Sequence, residues 1–422
     1  MTQQSEPAAA EVTPDLIRAE LAAWVGEHWD PDLSLRNWRE LLLQAGWAVP
    51  SWQQRWHGRG LPGWADELVA GELVGLGAVG APVGSGSWLA APTILAHGPD
   101  ELRERLLPPI LTGAQTWCQL FSEPGAGSDL AGLSTTAVLD GDSWVINGQK
   151  VWNTSAHHAD MGMLLARTDS SVPKHQGITY FALPMQQPGV EVRQLRQMNF
   201  HASFNEVFLT DARVPRENVI GAVGHGWAAA LTTLSYERRF AALQRPGYVA
   251  APGRALAEAR AEADRHFATY SWYPQRAGRP DLILEHARAA GVADHPVIRQ
   301  AIARLVTLHR VSVWTAERAR QARARGARPG AEGSIGKLAA SNVARESARV
   351  HSMIAGAAGL LTGPDSALGG VIAEVLMSVP GQSIAGGTDE IQKNILAERV
   401  LGLPGEVRVD RDVPFSQLTG RG

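Results

Sequence analysis

A glycine-rich stretch carries the first residue types with which this chain could bind a ligand. It runs from Phe121 to Asp129 with the sequence Phe-Ser-Glu-Pro-Gly-Ala-Gly-Ser-Asp. Because Gly125 and Gly127 lack a Cβ, we expect positive φ angles there and a close approach of the backbone to a ligand. The N–H groups and the Ser128 hydroxyl could then face a pyrophosphate. Taken alone, the same stretch also suits an ordinary Pro-Gly turn between strands.

Other residues of reactive types are interpreted as structural. His157 and His158 lack the carboxylate and histidine spacing that would complete a metal site, so no metal is expected. Cys118 is the one cysteine, which excludes an internal disulfide, and its strand position favours a buried, inert thiol. An arginine-rich stretch is interpreted as a solvated helix face and loop. Its arginines are Arg318, Arg320, Arg323, Arg325 and Arg328.

Composition and charge exclude several classes of function. The 422 residues carry 39 Lys plus Arg against 42 Asp plus Glu, a net charge of −3, so no overall field favours nucleic acid. No apolar run reaches the roughly 18 residues of a membrane span, and the N-terminus lacks a signal-peptide pattern. We therefore expect a soluble, cytoplasmic protein without nucleic-acid partners.

The hydrophobic periodicity divides the chain into three parts and a tail. Helical spacing covers 11–115, a period of two covers 116–220, and helical spacing returns over 226–404, leaving 405–422 as a tail. The middle part contains short strand-like runs separated by turns such as Asn147-Gly148, which predicts a small antiparallel barrel or sandwich. These runs are 117–121, 135–139, 144–146, 161–166, 178–183, 190–192 and 206–209.

Helix boundary signals refine the two helical parts. Thr13-Pro14 predicts a capped helix start, and a further helix is predicted to begin near Gly226. Two long amphipathic helices are predicted over 297–325 and 331–354. The last helix is predicted to begin after Thr388, with Asp389 and Glu390 in its first turn, and to end at Gly402.

Two motifs resemble signatures of the acyl-CoA dehydrogenases. The stretch 121–129 together with 145–154 is similar to that family's flavin-binding signature, and 386–402 is similar to its C-terminal signature. The resemblance covers residues 15 to 404 and implies an α+β fold: an N-terminal helical domain, a central antiparallel β-barrel domain and a C-terminal helical bundle. It also implies FAD as cofactor, acyl-CoA as substrate and an electron-transfer flavoprotein as electron acceptor.

The resemblance also assigns site residues. It implies that Gln119, Phe121 and Ser122 line the flavin ring, that Gly127 and Ser128 meet the phosphates, that Trp152 covers the flavin, and that Thr154 bonds its N5 edge. Asn153, Thr388 and Glu390 complete the implied cofactor set. The implied substrate-binding residues are Ser128, Ser235, Arg238 and Gly387.

The catalytic base is displaced from its usual position in the family. In many members a glutamate precedes the Gly-Thr of the C-terminal motif, and here that position is Gly386. Relatives such as the isovaleryl and long-chain members carry the base on a helix early in the bundle, before an arginine. Glu237 precedes Arg238 in the matching helix, so we expect Glu237 to abstract the α-proton. The Gly386 N–H would polarise the thioester carbonyl. A solvated ion pair is the alternative for Glu237.

Departures from the family pattern leave alternatives open. The segment that should help to bind the adenine end of the flavin is not recognisable within 246–295, and Met353 and Ala357 replace expected Gln and Gly. The expected product is a trans-2-enoyl thioester. A flavin oxidase of the same fold and a noncatalytic partner subunit of a heteromeric dehydrogenase are the other candidates. We expect a homo- or hetero-oligomer, either a dimer or a tetramer.

Overall fold

The computed structural model describes residues 12–240, 247–249, 251–324, 330, 332–363, 366–407 and 410–418. The chain divides into two compact units. The first, here called the helical unit, comprises Met1–Trp117 and Leu243–Phe267. The second, the sheet-bundle unit, comprises Cys118–Ala242 and Ala268–Gly422.

The α-helices of the described residues follow one another in chain order. They are α1 Pro14–His28, α2 Leu35–Gln44, α3 Ala65–Gly75, α4 Ala91–His97, α5 Asp100–Leu111, α6 Gly226–Phe240, α7 Arg254–Ala268, α8 Tyr273–Arg276, α9 Ile283–Ala289, α10 Pro296–Ala324, α11 Glu332–Ala355, α12 Val371–Ser378, α13 Pro380–Ile384, α14 Asp389–Arg399 and α15 Phe415–Leu418. The predicted long helices correspond to α10 and α11.

The helical unit is built on the apolar faces of its helices. Thr13 caps α1 as predicted, since its side chain accepts a hydrogen bond from the N–H of Leu16 at 3.3 Å. Leu21 and Trp38 share a buried core with Ala259 of α7. The sequence grouped 226–404 in one bundle, whereas the structure packs α7 with the N-terminal helices. Helical periodicity marks a buried face but does not identify the partner that covers it.

The sheet-bundle unit begins with a seven-stranded curled sheet. Its strands are β1 Trp117–Leu120, β2 Thr136–Asp140, β3 Ser143–Lys150, β4 Met161–Arg167, β5 Ile178–Pro184, β6 Val190–Leu195 and β7 Phe204–Pro215. The order is β1-β4-β2-β3-β7-β6, with β5 paired to β4. The β2–β3, β3–β7, β4–β5 and β6–β7 pairs are antiparallel, and β2 meets β4 in parallel at Thr136 and Arg167. All seven predicted strand runs lie at these strands, although β3, β6 and β7 are clearly longer than predicted.

An aromatic ring and the single cysteine, which was predicted to be structural, are buried in the core of this sheet. Trp144 packs against Phe181 with ring centroids 5.4 Å apart. Cys118 is fully buried, and burial raises the pKa of its thiol to about 12. This thiol is therefore protonated and inert at neutral pH.

The helices after residue 268 form the bundle of the same unit. Ile302 and Leu305 of α10 pack against Val343 and Val350 of α11. Within 246–295, where the family pattern fails, the described chain forms the short helices α8 and α9 after α7. Pro274 lies in the first turn of α8, where its missing N–H costs no helical hydrogen bond.

The stretch Ala367–Arg399 is, within the described residues, the one that by length and composition could cross a membrane. It is not one helix, because positive φ angles at Leu368, Gly386 and Gly387 separate it into shorter elements. Its Asp389 side chain is buried in ion pairs with Lys337 and Arg345. These features are those of a bundle segment in a globular unit.

The prediction that 405–422 forms a tail is wrong for residues 410–418. Phe415 is buried, and its N–H donates to the carbonyl of Val172 at 2.9 Å. The segment lacks a long apolar period, so its pattern resembles that of a loose terminus. Its docking depends on one aromatic ring and on backbone pairing.

Candidate functional site

The geometry of the site starts from one contact between β1 and α6. The Gln119 side-chain amide donates to the Glu237 carboxylate, with Nε2 and Oε2 3.3 Å apart. Gln119 lies on β1, and Glu237 lies on α6, which begins at Gly226 and presents Thr233 to Tyr180 of β5. The tertiary fold therefore brings two of the residues predicted for the site into direct contact.

The turn after β3 is held against the same strand by Asn153. The Asn153 side chain is 2% exposed, and its Nδ2 donates to the Gln119 carbonyl at 2.8 Å. The backbones of Asn153 and Asn205 pair through two hydrogen bonds of 3.1 and 3.0 Å. The turn that carries Trp152, Asn153 and Thr154 is consequently fixed to both β1 and β7.

Trp152 is an exposed aromatic residue in a constrained backbone. Its φ angle is 64°, and 55% of its surface is exposed. Its ring contacts Phe204 in an edge-to-face arrangement with centroids 5.7 Å apart. The Trp152 backbone is thus in the left-handed region, and its large apolar side chain is partly open to solvent. Such local strain is typical of functional sites.

The glycine-rich loop differs from the prediction in its backbone. Neither Gly125 nor Gly127 has a positive φ, so the expectation of left-handed glycines is wrong here. Instead Glu123 and Ala126 close a turn through reciprocal N–H to carbonyl hydrogen bonds of 3.1 Å, a geometry that does not need a positive φ at glycine. A Cβ at either glycine would meet no atom within 4 Å, so both border open space. Ser128 is exposed beside them.

A buried ion pair lies directly beneath this loop. Lys150 Nζ is 2.8 Å from Glu123 Oε1 and 3.1 Å from the Phe121 carbonyl, and the Lys150 side chain is fully buried. Burial alone would raise the pKa of Glu123, but the Lys150 ammonium and the hydrogen bonds from Thr135 and Ser134 hold it at about 2. Burial lowers the pKa of Lys150, and Glu123 partly offsets this effect.

Sequence reasoning missed this pair, although a signal for it existed. Trp144, Ile146 and Lys150 have the same parity on β3 and are all buried. A lysine at a core-facing position of a strand implies a buried anionic partner. The neighbouring motif contains two acidic residues, Glu123 and Asp129, and the structure pairs Lys150 with Glu123.

Phe121 and Ser122 lie in the loop, and each makes a structural contact within the chain. The Phe121 ring is 3% exposed and packs edge-to-face against Tyr180, which leaves little of the ring available to a ligand. The Ser122 carbonyl accepts from the Val151 N–H at 2.9 Å, which fastens the loop to the strand end. Contacts of these residues with a flavin stay predictions.

Two tyrosines that the sequence did not single out interact electrostatically with Glu237. Tyr270 and Tyr273 are packed together with ring centroids 4.7 Å apart. Burial raises the pKa of both phenols, and the charge of Glu237 adds to the increase. Arg276 lies over the Tyr273 ring at 4.2 Å and donates to Gln382 of α13 at 3.0 Å. Arg276 thereby joins this tyrosine pair to the helix that precedes Gly386.

The C-terminal motif forms a glycine turn ahead of α14. Gly386 and Gly387 have φ angles of 67° and 86°, and a Cβ at Gly386 would meet nothing within 4 Å. Gln392 Nε2 donates to the Gly386 carbonyl at 3.1 Å. The predicted cap is confirmed, since the Thr388 side chain accepts from the Ile391 N–H. The turn thus has open space on the Cβ side of Gly386, the position at which the motif resemblance leads one to expect a glutamate.

The acidic residues after Thr388 have separate environments. Asp389 is buried against Lys337 and Arg345; burial would raise its pKa, but their hydrogen bonds hold it well below its usual range. Glu390 is exposed on the first turn of α14, 3.9 Å from Lys393. Its predicted role toward a cofactor stays a prediction.

The remaining predicted substrate residues lie on α6. Ser235 is exposed, and its hydroxyl donates to the Thr232 carbonyl at 2.8 Å. The side chain of Arg238 falls outside the described residues.

The residues around the turn fit a flavin. Trp152 offers an exposed aromatic face, and the open space at Gly125 and Gly127 leaves room for a polar chain. Within the described residues, the buried Oδ1 of Asn153 has no hydrogen-bond partner. An aromatic face beside hydrogen-bonding groups suits an isoalloxazine ring, and a nearby carboxylate supplies a base.

Family models agree with the motif resemblance along the chain. The N-terminal, middle and C-terminal domain models of acyl-CoA dehydrogenases match residues 4–114, 118–212 and 281–401. The acyl-CoA dehydrogenase IpdE1 of Mycobacterium tuberculosis is 35% identical over 379 residues, spanning 88% of this chain and 89% of that protein. FadE34 of the same organism is 36% identical, over 92% of this chain and 49% of its own length.

Solved structures show the same fold. The steroid acyl-CoA dehydrogenase Tcur3481-Tcur3483 is similar with a TM-score of 0.64 and 25% identity, covering 95% of this chain and 99% of that chain. The ChsE4-ChsE5 complex of Mycobacterium tuberculosis is similar with a TM-score of 0.62 and 25% identity, covering 96% and 100%.

Proposed function

Because the chain belongs to the acyl-CoA dehydrogenase family, we propose that it is an FAD-dependent oxidoreductase that converts an acyl-CoA thioester to its trans-2-enoyl product. The reaction removes a proton from the α-carbon and a hydride from the β-carbon. The chain must therefore supply a base, a donor for the thioester carbonyl and a platform for the hydride acceptor.

Glu237 is the proposed base, and its contact with Gln119 is the observation that carries the proposal. The glutamate accepts this hydrogen bond from a strand that lies 118 residues earlier in the chain, so the tertiary fold positions its carboxylate against β1. Gln119 is itself fixed by Asn153, which belongs to the proposed cofactor turn. The carboxylate is thus held next to the residues that would contact the flavin, where a base for the α-proton is required.

Gly386 is the proposed donor to the thioester oxygen. Its left-handed backbone and the open space on its Cβ side leave the approach to the turn free of side chains. A glutamate there would duplicate the base. A backbone N–H can instead stabilise the negative charge that develops on the carbonyl oxygen as the α-proton leaves.

When bound, FAD supplies the hydride acceptor and later the reducing equivalents for an electron-transfer flavoprotein. Trp152 is proposed to cover the ring, and Thr154 to donate to its edge. Gly127 and Ser128 would contact phosphates from the exposed loop. The Glu123–Lys150 pair beneath that loop holds its backbone in position.

The substrate is proposed to be a bulky, ring-bearing acyl thioester. Support comes from the similarity to Tcur3481-Tcur3483, which is a steroid acyl-CoA dehydrogenase. Tcur3481-Tcur3483 and the ChsE4-ChsE5 complex are each named after two different proteins. A heteromeric assembly is accordingly part of the proposal, and Met353 and Ala357 are consistent with a nonstandard interface.

Anaerobic titration tests the proposal directly. The purified protein is titrated with straight-chain, branched and ring-bearing acyl-CoA thioesters, and the bleaching of the visible flavin absorption band is followed. The Glu237→Gln variant should keep its bound flavin and lose bleaching. The Glu317→Gln variant, which changes an exposed glutamate of α10, is the matched control and should bleach normally. Near-normal bleaching by Glu237→Gln would exclude Glu237 as the base.

A second candidate is a noncatalytic partner subunit, favoured by Gly386 at the position where many members carry the base. This candidate predicts that the isolated chain binds no flavin. It also predicts that the Glu237→Gln change leaves the activity of the assembled complex unchanged. Oxygen consumption with peroxide release would instead identify a flavin oxidase of this fold.

A further inference from the structure

The C-terminal segment 410–418, here called the clasp, docks on the loop between β4 and β5 of the sheet-bundle unit. The Phe415 N–H donates to the Val172 carbonyl at 2.9 Å, and the Ser416 N–H donates to the Ser170 carbonyl at 2.8 Å. Pro414 and Pro173 form an isolated antiparallel bridge beside them. The clasp lies beyond residue 401, where the family's C-terminal model ends. Its residues are therefore outside the part of the chain that this model matches.

The Phe415 ring packs on a buried arginine. Arg167 Cζ lies 3.4 Å from the ring centroid, and the ring and the guanidinium are both buried. Burial lowers the pKa of Arg167 to about 10, an effect that Glu123 and Asp129 partly offset. A desolvated guanidinium gains from an aromatic face as well as from hydrogen-bond acceptors. Phe415 thus closes one side of the Arg167 environment.

Arg167 directs its hydrogen bonds at the chain that follows the glycine-rich loop. Its Nε donates to the Leu133 carbonyl at 3.1 Å, and one terminal nitrogen donates to the Ala131 carbonyl at 2.7 Å. The other terminal nitrogen donates to the Lys174 carbonyl at 3.1 Å. One guanidinium therefore fixes the backbone on two sides of the clasp's docking site.

Lys174 makes a second connection between the clasp and the loop. Its Nζ lies 2.9 Å from Asp129 Oδ2 and 2.8 Å from Asp410 Oδ2. Asp129 directly follows Ser128, the residue proposed to contact phosphate. Without Asp410, Lys174 would lose the carboxylate that holds its ammonium from the clasp side.

We propose that the clasp is a positioning element for the ligand-binding loop: Phe415, through Arg167, and Asp410, through Lys174, hold residues 127–133 in their binding geometry. The identity of the loop's ligand rests on the proposed function, with FAD as the bound group. The clasp's effect on the loop does not rest on the proposed function, because it follows from contacts within the chain. Phe415 and Asp410 are positioning residues, since neither is placed against a ligand.

Hydrogen exchange on the full-length protein tests the effect on the loop without any cofactor. Phe415→Ala should speed amide exchange in a peptide covering 125–134 by about tenfold, because water then reaches the Arg167 guanidinium and competes with the Ala131 and Leu133 carbonyls for its hydrogen bonds. Asp410→Asn should speed it by about two- to fivefold, the scale of one partly exposed ion pair. Asp412→Asn, an exposed change in the same segment, is the matched control and should leave exchange unaltered.

The second readout is the dissociation constant for FAD, measured from flavin fluorescence. Asp410→Asn should raise this constant about two- to fivefold while the melting temperature stays within about 2 °C of the wild type, which a purely structural role would not produce. If amide exchange at 125–134 is unchanged in Asp410→Asn, the proposal is overturned. This result decides the question even if the Phe415→Ala variant does not fold. A wild type that binds no flavin would contradict the proposed function alone, and the exchange comparison then decides the role of the clasp.

Discussion

The amide of Gln119 donates to the carboxylate of Glu237 across 3.3 Å, joining β1 to α6. The backbone carbonyl of the same glutamine accepts a hydrogen bond from the side chain of Asn153, in the turn that carries Trp152 and Thr154. A single residue thereby relates the proposed base to the proposed cofactor turn. The hydrogen bond from Gln119 is thus one contact that orients the Glu237 carboxylate.

Replacing Gln119 with leucine should slow the proposed reaction without removing the flavin. Leucine keeps the side-chain volume but gives the Glu237 carboxylate no donor, so the carboxylate becomes less well oriented. We expect the rate of substrate-dependent flavin reduction to fall about tenfold, within the range for a misplaced catalytic group. Stopped-flow absorbance under anaerobic conditions measures it.

Gln149→Leu is the matched control for this experiment. Gln149 donates to Glu206 at 3.2 Å on neighbouring strands of the same sheet. Its loss should leave flavin reduction unchanged. Equal rates in Gln119→Leu and the wild type would contradict the orienting role of Gln119.

Removing the buried ammonium of Lys150 should be strongly destabilising. Lys150→Met leaves Glu123 as an uncompensated carboxylate with a 5% exposed side chain, at a cost of about 3–5 kcal/mol in the free energy of unfolding. Urea denaturation followed by circular dichroism measures the loss. Lys393→Met removes the same side chain from the exposed pair with Glu390 and should cost less than about 1 kcal/mol. Similar losses in both variants would contradict the argument.

A buried histidine pair should make stability depend on pH between about 6.5 and 4. Burial lowers the pKa of His351 from 6.5 to about 4. His351 Nε2 lies 3.1 Å from the Arg279 carbonyl, which must accept, so Nε2 carries the proton. His351 Nδ1 then accepts from Nδ1 of His286, 3.0 Å away. Both rings are neutral in this arrangement.

The sign of the effect follows from where protons bind. Below pH 6.5 the unfolded chain protonates His351, whereas the folded chain does so only near pH 4. The free energy of unfolding should therefore decrease as the pH falls through this window, by on the order of 2 kcal/mol. Chemical denaturation at several pH values should show a smaller decrease for His351→Asn than for the wild type. The exposed control His309→Asn should keep the wild-type slope, and identical slopes in all three proteins would refute the assignment.

The elements that could be predicted are those with local signals. The seven strands follow from alternation and turn residues, and the caps at Thr13 and Thr388 follow from side-chain chemistry within three residues. The backbone of the glycine-rich loop was wrongly predicted, because a closed turn between Glu123 and Ala126 satisfies the chain without left-handed glycines. The tail was wrongly predicted because the docking of Phe415 depends on Arg167, which lies far away in the sequence.

The sequence by itself determined the periodicities, the two motifs and the displacement of the family's glutamate from position 386, since each of these depends on residue order alone. Only the tertiary structure decided which residues meet: Gln119 with Glu237, Glu123 with Lys150, and Phe415 with Arg167. The physical reason is that burial and pairing of charged groups depend on the partners that folding supplies. A helical or strand period indicates which face is buried but not what covers it.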